Sequence, residues 1–382
     1  MIERILYFVL LPILFSCGQE KTSIDNIYSI DSRIILGSPI SVNLSEIAES
    51  ISFIKLETHN DALIGNFPRV SYADSLLIVS TVENGVLVFD SETGKYLYKI
   101  EGFRDRGPLG YSQVTSPLTI DNRDKLILQK WNSHGMWNYK TGEMLDRSLS
   151  ISPLKYTMLL FVNDSLLVGC AFFVDLNTPS LLDLLSTSDG SIVREYGLKE
   201  KIDEDYNRTN MNRFHLYDFD NYITCYSMLR DTIYGINKTT LNLESRFVLN
   251  LGKRIHPNSP VPHYSNYILI SYICESSRYL FIGFFNENDD SINFVYYDKK
   301  KGKTFYLAKD ASNPFARENP GFNNDFTNDM RFFPTHITSD DRAYTIFQAT
   351  EVLKVVGPER AAEIGITDAE DNPVIMVAQL KR

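Results

Sequence analysis

From about residue 67 to residue 345 the chain alternates short apolar runs with polar, turn-rich clusters, and no stretch in that span carries a helical period. Such a pattern predicts strands. The clearest unit runs from Val86 to Lys95, an apolar strand (Val86-Leu87-Val88-Phe89) entering a tight turn whose Gly94 supplies a positive φ. Comparable turns recur at Gly142, Gly190, Thr240 and Gly302, at intervals of 48, 48, 50 and 62 residues counted from Gly94. A second signal, a polar turn opening an apolar strand, occurs six times: Asp74 to Val79, Asn122 to Leu128, Asn163 to Val168, Asp220 to Ile223, Ser277 to Ile282 and Asp340 to Ile346. Units of roughly 40 to 50 residues with four strands each predict an all-β fold, a six-bladed β-propeller.

The ends of the chain suit a closed ring. Ile51 to Glu57 alternates apolar and polar residues ahead of the first unit, and Asp371 to Leu380 reads as a strong terminal strand. Both are expected in one blade, where the N-terminal strand pairs with C-terminal strands. Between Gln348 and Ile366, Glu351, Leu353, Lys354, Glu359, Ala361 and Ala362 favour helix while Gly357-Pro358 interrupts it, so one or two short helices are expected within the last blade.

The N-terminus has another character. After Glu3 and Arg4 an apolar run of 11 residues, Ile5 to Phe15, leads into Leu14-Phe15-Ser16-Cys17-Gly18. A membrane-spanning helix needs about 20 residues, whereas this length suits the apolar core of an export signal. A Leu three residues before Cys17, a small Ser before it and a Gly after it resemble the lipobox of bacterial lipoproteins. That resemblance implies an acylated Cys17 with two or more chains, enough for stable anchoring. The expected organisation is a signal peptide at 1–16, a tether at 17–35 and a propeller at 36–382. Its expected place is the cell envelope, lipid-anchored at the outer membrane on the periplasmic or surface face.

Composition narrows the partners. With 38 Lys+Arg against 48 Asp+Glu the net charge is −10, the wrong sign for binding a polyphosphate, and no nucleic-acid partner is expected. Cys170, Cys225 and Cys274 lie in strand-like runs 55 and 49 residues apart, reading as equivalent places in successive repeats. Buried thiols acting as small hydrophobes are expected there. Lys299-Lys300-Lys301 reads as a solvated hairpin tip, and Asp203-Glu204-Asp205 as an exposed acidic loop.

Three segments resemble a known family when taken together: Leu44-Ser45-Glu46-Ile47-Ala48 through Ile54-Lys55-Leu56-Glu57-Thr58, then Arg106-Gly107-Pro108-Leu109-Gly110-Tyr111, then Glu370-Asp371-Asn372-Pro373-Val374 with Leu380-Lys381. In this order behind a lipobox they resemble six-bladed β-propeller lipoproteins of unknown function from Gram-negative bacteria, related in shape to NHL-repeat proteins. The resemblance spans essentially the whole mature chain and implies a fold without an activity. Members of that family often read Gly-Pro-Gly-Glu-Tyr where this chain has Gly107-Pro108-Leu109-Gly110-Tyr111, so any role of that glutamate is absent here.

No spacing forces a mechanism: His-Glu-x-x-His, Cys-x-x-Cys, Gly-x-Gly-x-x-Gly and Gly-x-Ser-x-Gly are all missing. Enzymes with six-bladed propellers, such as lactonases, commonly hold a divalent ion in the central channel through Glu, Asn and Asp from different blades. By that likeness Asn324, Asp325 and His336 are candidate metal ligands for a hydrolase or lyase, while turn chemistry and strand capping are the preferred reading of Asn and Asp there. Arg104, Arg106 and Tyr111 are candidate binding anchors in the loop leaving the first blade, with packing between blades as the alternative for Tyr111. Trp131 and Trp137, with His134, are candidates for a sugar-stacking platform, with blade packing as the alternative. The leading expectation is a monomeric, non-catalytic binding or scaffolding propeller that faces an envelope protein or glycan and needs no cofactor. A channel enzyme with a divalent metal is the alternative.

Overall fold

The computed structural model describes residues 27–31, 34, 37–65, 68–112, 119–121, 123–152, 155–171, 182–197, 214–227, 231–250, 268–286, 291–308 and 321–382. The expected signal peptide, Cys17 and Asp203 to Asp205 lie outside these residues.

Two strands precede the first full blade, β1 (Tyr28–Ile30) and β2 (Ala48–Lys55). Blade 1 is β3 (Arg69–Ala73), β4 (Leu76–Thr81), β5 (Gly85–Asp90) and β6 (Tyr96–Lys99). Blade 2 is β7 (Thr119–Ile120), β8 (Lys125–Gln129), β9 (His134–Asn138) and β10 (Met144–Leu149). Blade 3 is β11 (Tyr156–Asn163), β12 (Leu166–Ala171), β13 (Leu182–Ser186) and β14 (Ile192–Glu195). Blade 4 is β15 (Phe214–Phe219), β16 (Tyr222–Ser227), β17 (Thr232–Asn237) and β18 (Leu243–Leu249). Blade 5 is β19 (Ile268–Glu275), β20 (Tyr279–Asn286), β21 (Ser291–Asp298) and β22 (Lys303–Tyr306). Blade 6 joins β23 (His336–Ile337), β24 (Arg342–Phe347) and β25 (Val374–Leu380) to β2. Neighbouring blades touch through their first strands, β7 with β11, β11 with β15, β15 with β19 and β19 with β23. The first strand of each blade is therefore the innermost, and the fold is the six-bladed β-propeller that the repeat predicts.

One turn geometry explains the repeat. In five blades the N–H of Gly94, Gly142, Gly190, Leu241 or Gly302 donates to the carbonyl four residues back, that of Asp90, Asn138, Ser186, Asn237 or Asp298. All five donor residues are left-handed, with φ between 57° and 80°. The side chains of Asp90, Asn138, Asn237 and Asp298 accept a further bond from the N–H three residues on. In the fourth copy the positive φ falls on Leu241 and not on Thr240, one residue later than the sequence marker. Gly94 has a second constraint: a Cβ there would sit 2.0 Å from the Lys55 carbonyl oxygen.

Ring closure follows the expected plan. β2 lies antiparallel on β25, with Ile51 opposite Ala378 and Phe53 opposite Met376, and β25 lies on β24. Between β24 and β25 runs α1 (Ala349–Ile364), broken at Gly357 (φ 78°, ψ 167°) before Pro358 and ended by left-handed Gly365. The N-terminal segment does more than tether. Tyr28–Ile30, placed in the tether by sequence, adds parallel to β18 as a fifth strand of blade 4. The Tyr28 ring stacks on Phe247 at 5.4 Å and meets Tyr297 edge-on, and Ile30 is buried, so apolar packing draws this segment onto an otherwise open sheet edge. Ile40 then bridges to Leu307 and Asn43 to Asn323, so the segment belts blades 4 and 5 before it becomes the outer strand of blade 6.

Cys170, Cys225 and Cys274 are buried free thiols. Cys170 and Cys225 sit in the second strands of blades 3 and 4, but Cys274 is in the first strand of blade 5, so the three are not all equivalent. Lys299 departs from the expected solvated tip. Its ammonium, together with the Arg246 guanidinium and the Tyr217 hydroxyl, donates to the fully buried Glu275 carboxylate at 2.6 to 2.9 Å. Lys301 alone of the two lysine ends in salt bridges here is exposed.

Candidate functional site

Turns joining strands one to two and three to four of each blade lie at one end of the propeller, the turn face. Loops joining strands two to three, and one blade to the next, lie at the other, the loop face. Arg104, Arg106 and Tyr111 belong to the loop between β6 and β7, and Trp131 to the loop between β8 and β9.

The exposed part of this loop is tightly tied. Gly102 (φ 91°) leaves room for the Leu109 carbonyl oxygen 2.6 Å from where a Cβ would stand. Arg104, itself left-handed, donates to the Val82 carbonyl at 2.9 Å, and its guanidinium lies over the Phe103 ring. The Asp105 carboxylate accepts from the Gly107 N–H, and its carbonyl accepts from the Trp131 indole at 3.3 Å. Lys130 donates to the Pro108 carbonyl. On this frame the Arg106 guanidinium stacks over Trp131 at 5.1 Å. Trp131 is 52% exposed, and Leu109 and Val82 are each 63% exposed. Cation, aromatic and aliphatic surfaces thus stand together on the loop face of blades 1 and 2. Sequence reasoning missed Val82 and Leu109, because an apolar residue in a loop carries no periodic signal.

Tyr111 and Trp137 are not surface anchors. Tyr111 is fully buried; its hydroxyl accepts from the Val86 N–H at 3.1 Å and donates to the Ile100 carbonyl at 3.0 Å. Trp137 packs edge-on against it at 5.6 Å in the core between blades 1 and 2. His134 is buried as well, its Nδ1 against the Ile151 carbonyl, and burial lowers its pKa. The expected sugar-stacking platform therefore does not assemble, and Trp131 alone of the three faces solvent.

The candidate metal ligands do not converge either. Both Asp325 carboxylate oxygens accept from Ser45, one from its N–H and one from its hydroxyl. The buried Asn324 amide is spent on Thr327. His336 lies apart from them on the innermost strand β23. Among the described residues no group of three or more His, Cys, Asp or Glu side chains is placed to hold a metal ion.

His336 instead lines a cavity of about 230 Å³ between the inner strands of blades 6 and 1, toward the loop face. Tyr72 and Tyr344 stack there with ring centroids 3.6 Å apart, and both rings lie 6.4 Å from the imidazole. Both phenol oxygens are buried, close to one another. Burial pushes the His336 pKa down to about 4, so the ring is neutral at physiological pH. Arg69, Ser71 and Thr335 complete the polar lining. Sequence reasoning found only His336 of this set, since closure of blade 6 against blade 1 brings together residues more than 260 positions apart.

One solved structure supports the fold. A Bacteroides fragilis NCTC 9343 protein described as exported superposes with a TM-score of 0.69 at 18% identity, covering 94% of this chain and 100% of its own. A DUF4221 family member from Bacteroides vulgatus ATCC 8482 gives a TM-score of 0.49 at 11% identity, covering 87% and 97%. No curated protein matches the chain. A sequence family matches residues 27–379, from the first strand to the end of the last, and the chain therefore belongs to the family described as "Domain of unknown function (DUF4934)".

Proposed function

We propose that this protein is an exported binding module, anchored in the cell envelope through acylated Cys17, that presents its loop face to an envelope protein or glycan. The observation that carries this reading is the Arg106–Trp131 stack with exposed Leu109 and Val82 beside it. Arginine and tryptophan are the side chains that most often dominate binding interfaces, and here a rigid loop holds both in place before any partner arrives. The export assigned to the Bacteroides fragilis relative of the same fold agrees with the apolar leader of this chain.

Crosslinking the full-length lipidated protein in intact cells tests the reading. A stoichiometric adduct is expected from the wild type, and its loss from Arg106→Ala and Trp131→Ala with an unchanged melting transition. The same adduct from both variants would overturn the assignment of this surface. Cys17→Ala should move the protein to the soluble fraction, and continued membrane retention would refute the anchor.

A further inference from the structure

Most of the cavity wall between blades 6 and 1 is aromatic or aliphatic, with a few polar groups among them. The Tyr72 and Tyr344 hydroxyls lie buried side by side in the wall, with one another and Thr338 as their neighbours for hydrogen bonding, so each keeps capacity for an entering hydroxyl. The neutral His336 imidazole offers one donor and one acceptor nitrogen. Ring faces suit the C–H faces of a saturated ring, while phenols and imidazole suit its hydroxyls. Arg69 is the one charged residue in the lining. An anion brought beside its guanidinium would pair with it, whereas a cation would be repelled. A volume of about 230 Å³ equals roughly eight waters, room for one sugar-sized ring.

We infer that this cavity is a binding site for one carboxylated sugar unit of the uronate class, free or at the end of a glycan, with its carboxylate toward Arg69 and its ring against Tyr72, His336 and Tyr344. The inference stands apart from the docking surface on blades 1 and 2, and either can fail without the other.

Titration calorimetry of the full mature protein with D-glucuronate, D-galacturonate and D-glucose tests it. At least one uronate should bind, at least tenfold more tightly than glucose. Arg69→Gln should weaken uronate binding at least tenfold and leave glucose unaffected. Tyr72→Phe and Tyr344→Phe should each weaken it several-fold, and Arg106→Ala should leave it unchanged. Equal affinity for uronate and glucose would overturn the anionic assignment. Uronate binding by Arg69→Gln at wild-type strength would overturn the role of the guanidinium, and no heat from either uronate at millimolar concentration would overturn the site. Because Arg69 is an exposed residue at a strand start, its variant should keep the wild-type melting transition, so lost binding would not reflect unfolding.

Discussion

Single side chains decide which loop residues face a partner and which hold the blades together. Tyr111 bonds two backbone groups of blade 1 while its ring packs on blade 2, so Tyr111→Phe strands the Val86 N–H and leaves the Ile100 carbonyl short of its donor. We expect a loss of about 2 kcal/mol, read as a melting temperature lower by several degrees, with Arg106→Ala as an unshifted control. An unshifted Tyr111→Phe would mean that water takes over these bonds. In the sequence Arg104, Arg106 and Tyr111 are all candidate anchors, Tyr111 with packing between blades as its alternative, and the structure settles Tyr111 on packing. Lys299 and Lys301 make the same point, because neighbouring positions in a hairpin end in a buried ion cluster and in solvent respectively. Local pattern predicts a strand or a turn, while burial of a polar end depends on the facing blade.

At the level of elements, the propeller was legible because the hairpin joining the third and fourth strands repeats the same left-handed turn in five blades, and turn chemistry is local. The closing blade was legible for a related reason: both of its outer strands carry strong apolar patterns. Its latch was not. Asp371 bonds the Lys55 ammonium at 2.8 Å, the Thr58 hydroxyl, and the N–H groups of Thr367 and Asp368. The buried Asn372 amide donates to the carbonyls of Glu57 and Ala62 and accepts from the Ile64 N–H. Two adjacent residues thus tie the C-terminal strand to the entry of blade 1. Asn372→Ala removes three bonds in a buried place and should cost about 3 kcal/mol, lowering the melting temperature by about 5 °C or more. Burial alone would raise the Asp371 pKa, but Lys55 and the donated hydrogen bonds outweigh it and hold the carboxyl well below the usual range. A depressed folded pKa contributes stability above the unfolded value of about 4 and loses it as pH falls further. Asp371→Asn should therefore be less stable than the wild type at pH 7, with the gap narrowing below about pH 4. A gap independent of pH would show that the ionised form of Asp371 is not what the latch uses.

At the level of the whole molecule, the direction of one short strand orients the propeller on the proposed anchor. The fourth strand of each blade leaves the turn face and ends at the loop face, because the loop to the next blade follows it. β1 runs parallel to β18, so the Tyr28 end of β1 points back toward the turn face. The 11 residue steps from Cys17 to Tyr28 reach at most about 40 Å when extended, so acylation of Cys17 as proposed would keep the outer edge of blade 4 within that distance of the bilayer. On the proposed anchor, with the chain entering from the turn side, the turn face is expected toward the membrane and the Arg106–Trp131 surface and the Arg69 cavity toward the far side. The buried state of Cys170, Cys225 and Cys274 makes this measurable, because a fluorophore can be placed on a single introduced thiol. On vesicles carrying a lipid-attached quencher, label at Thr141→Cys or Thr240→Cys, both in exposed turn-face hairpins, should be quenched more strongly than label at Val82→Cys on the loop face. Equal quenching would mean that the propeller tumbles freely on its tether, and the reverse order would place the binding surfaces against the lipid and overturn the orientation.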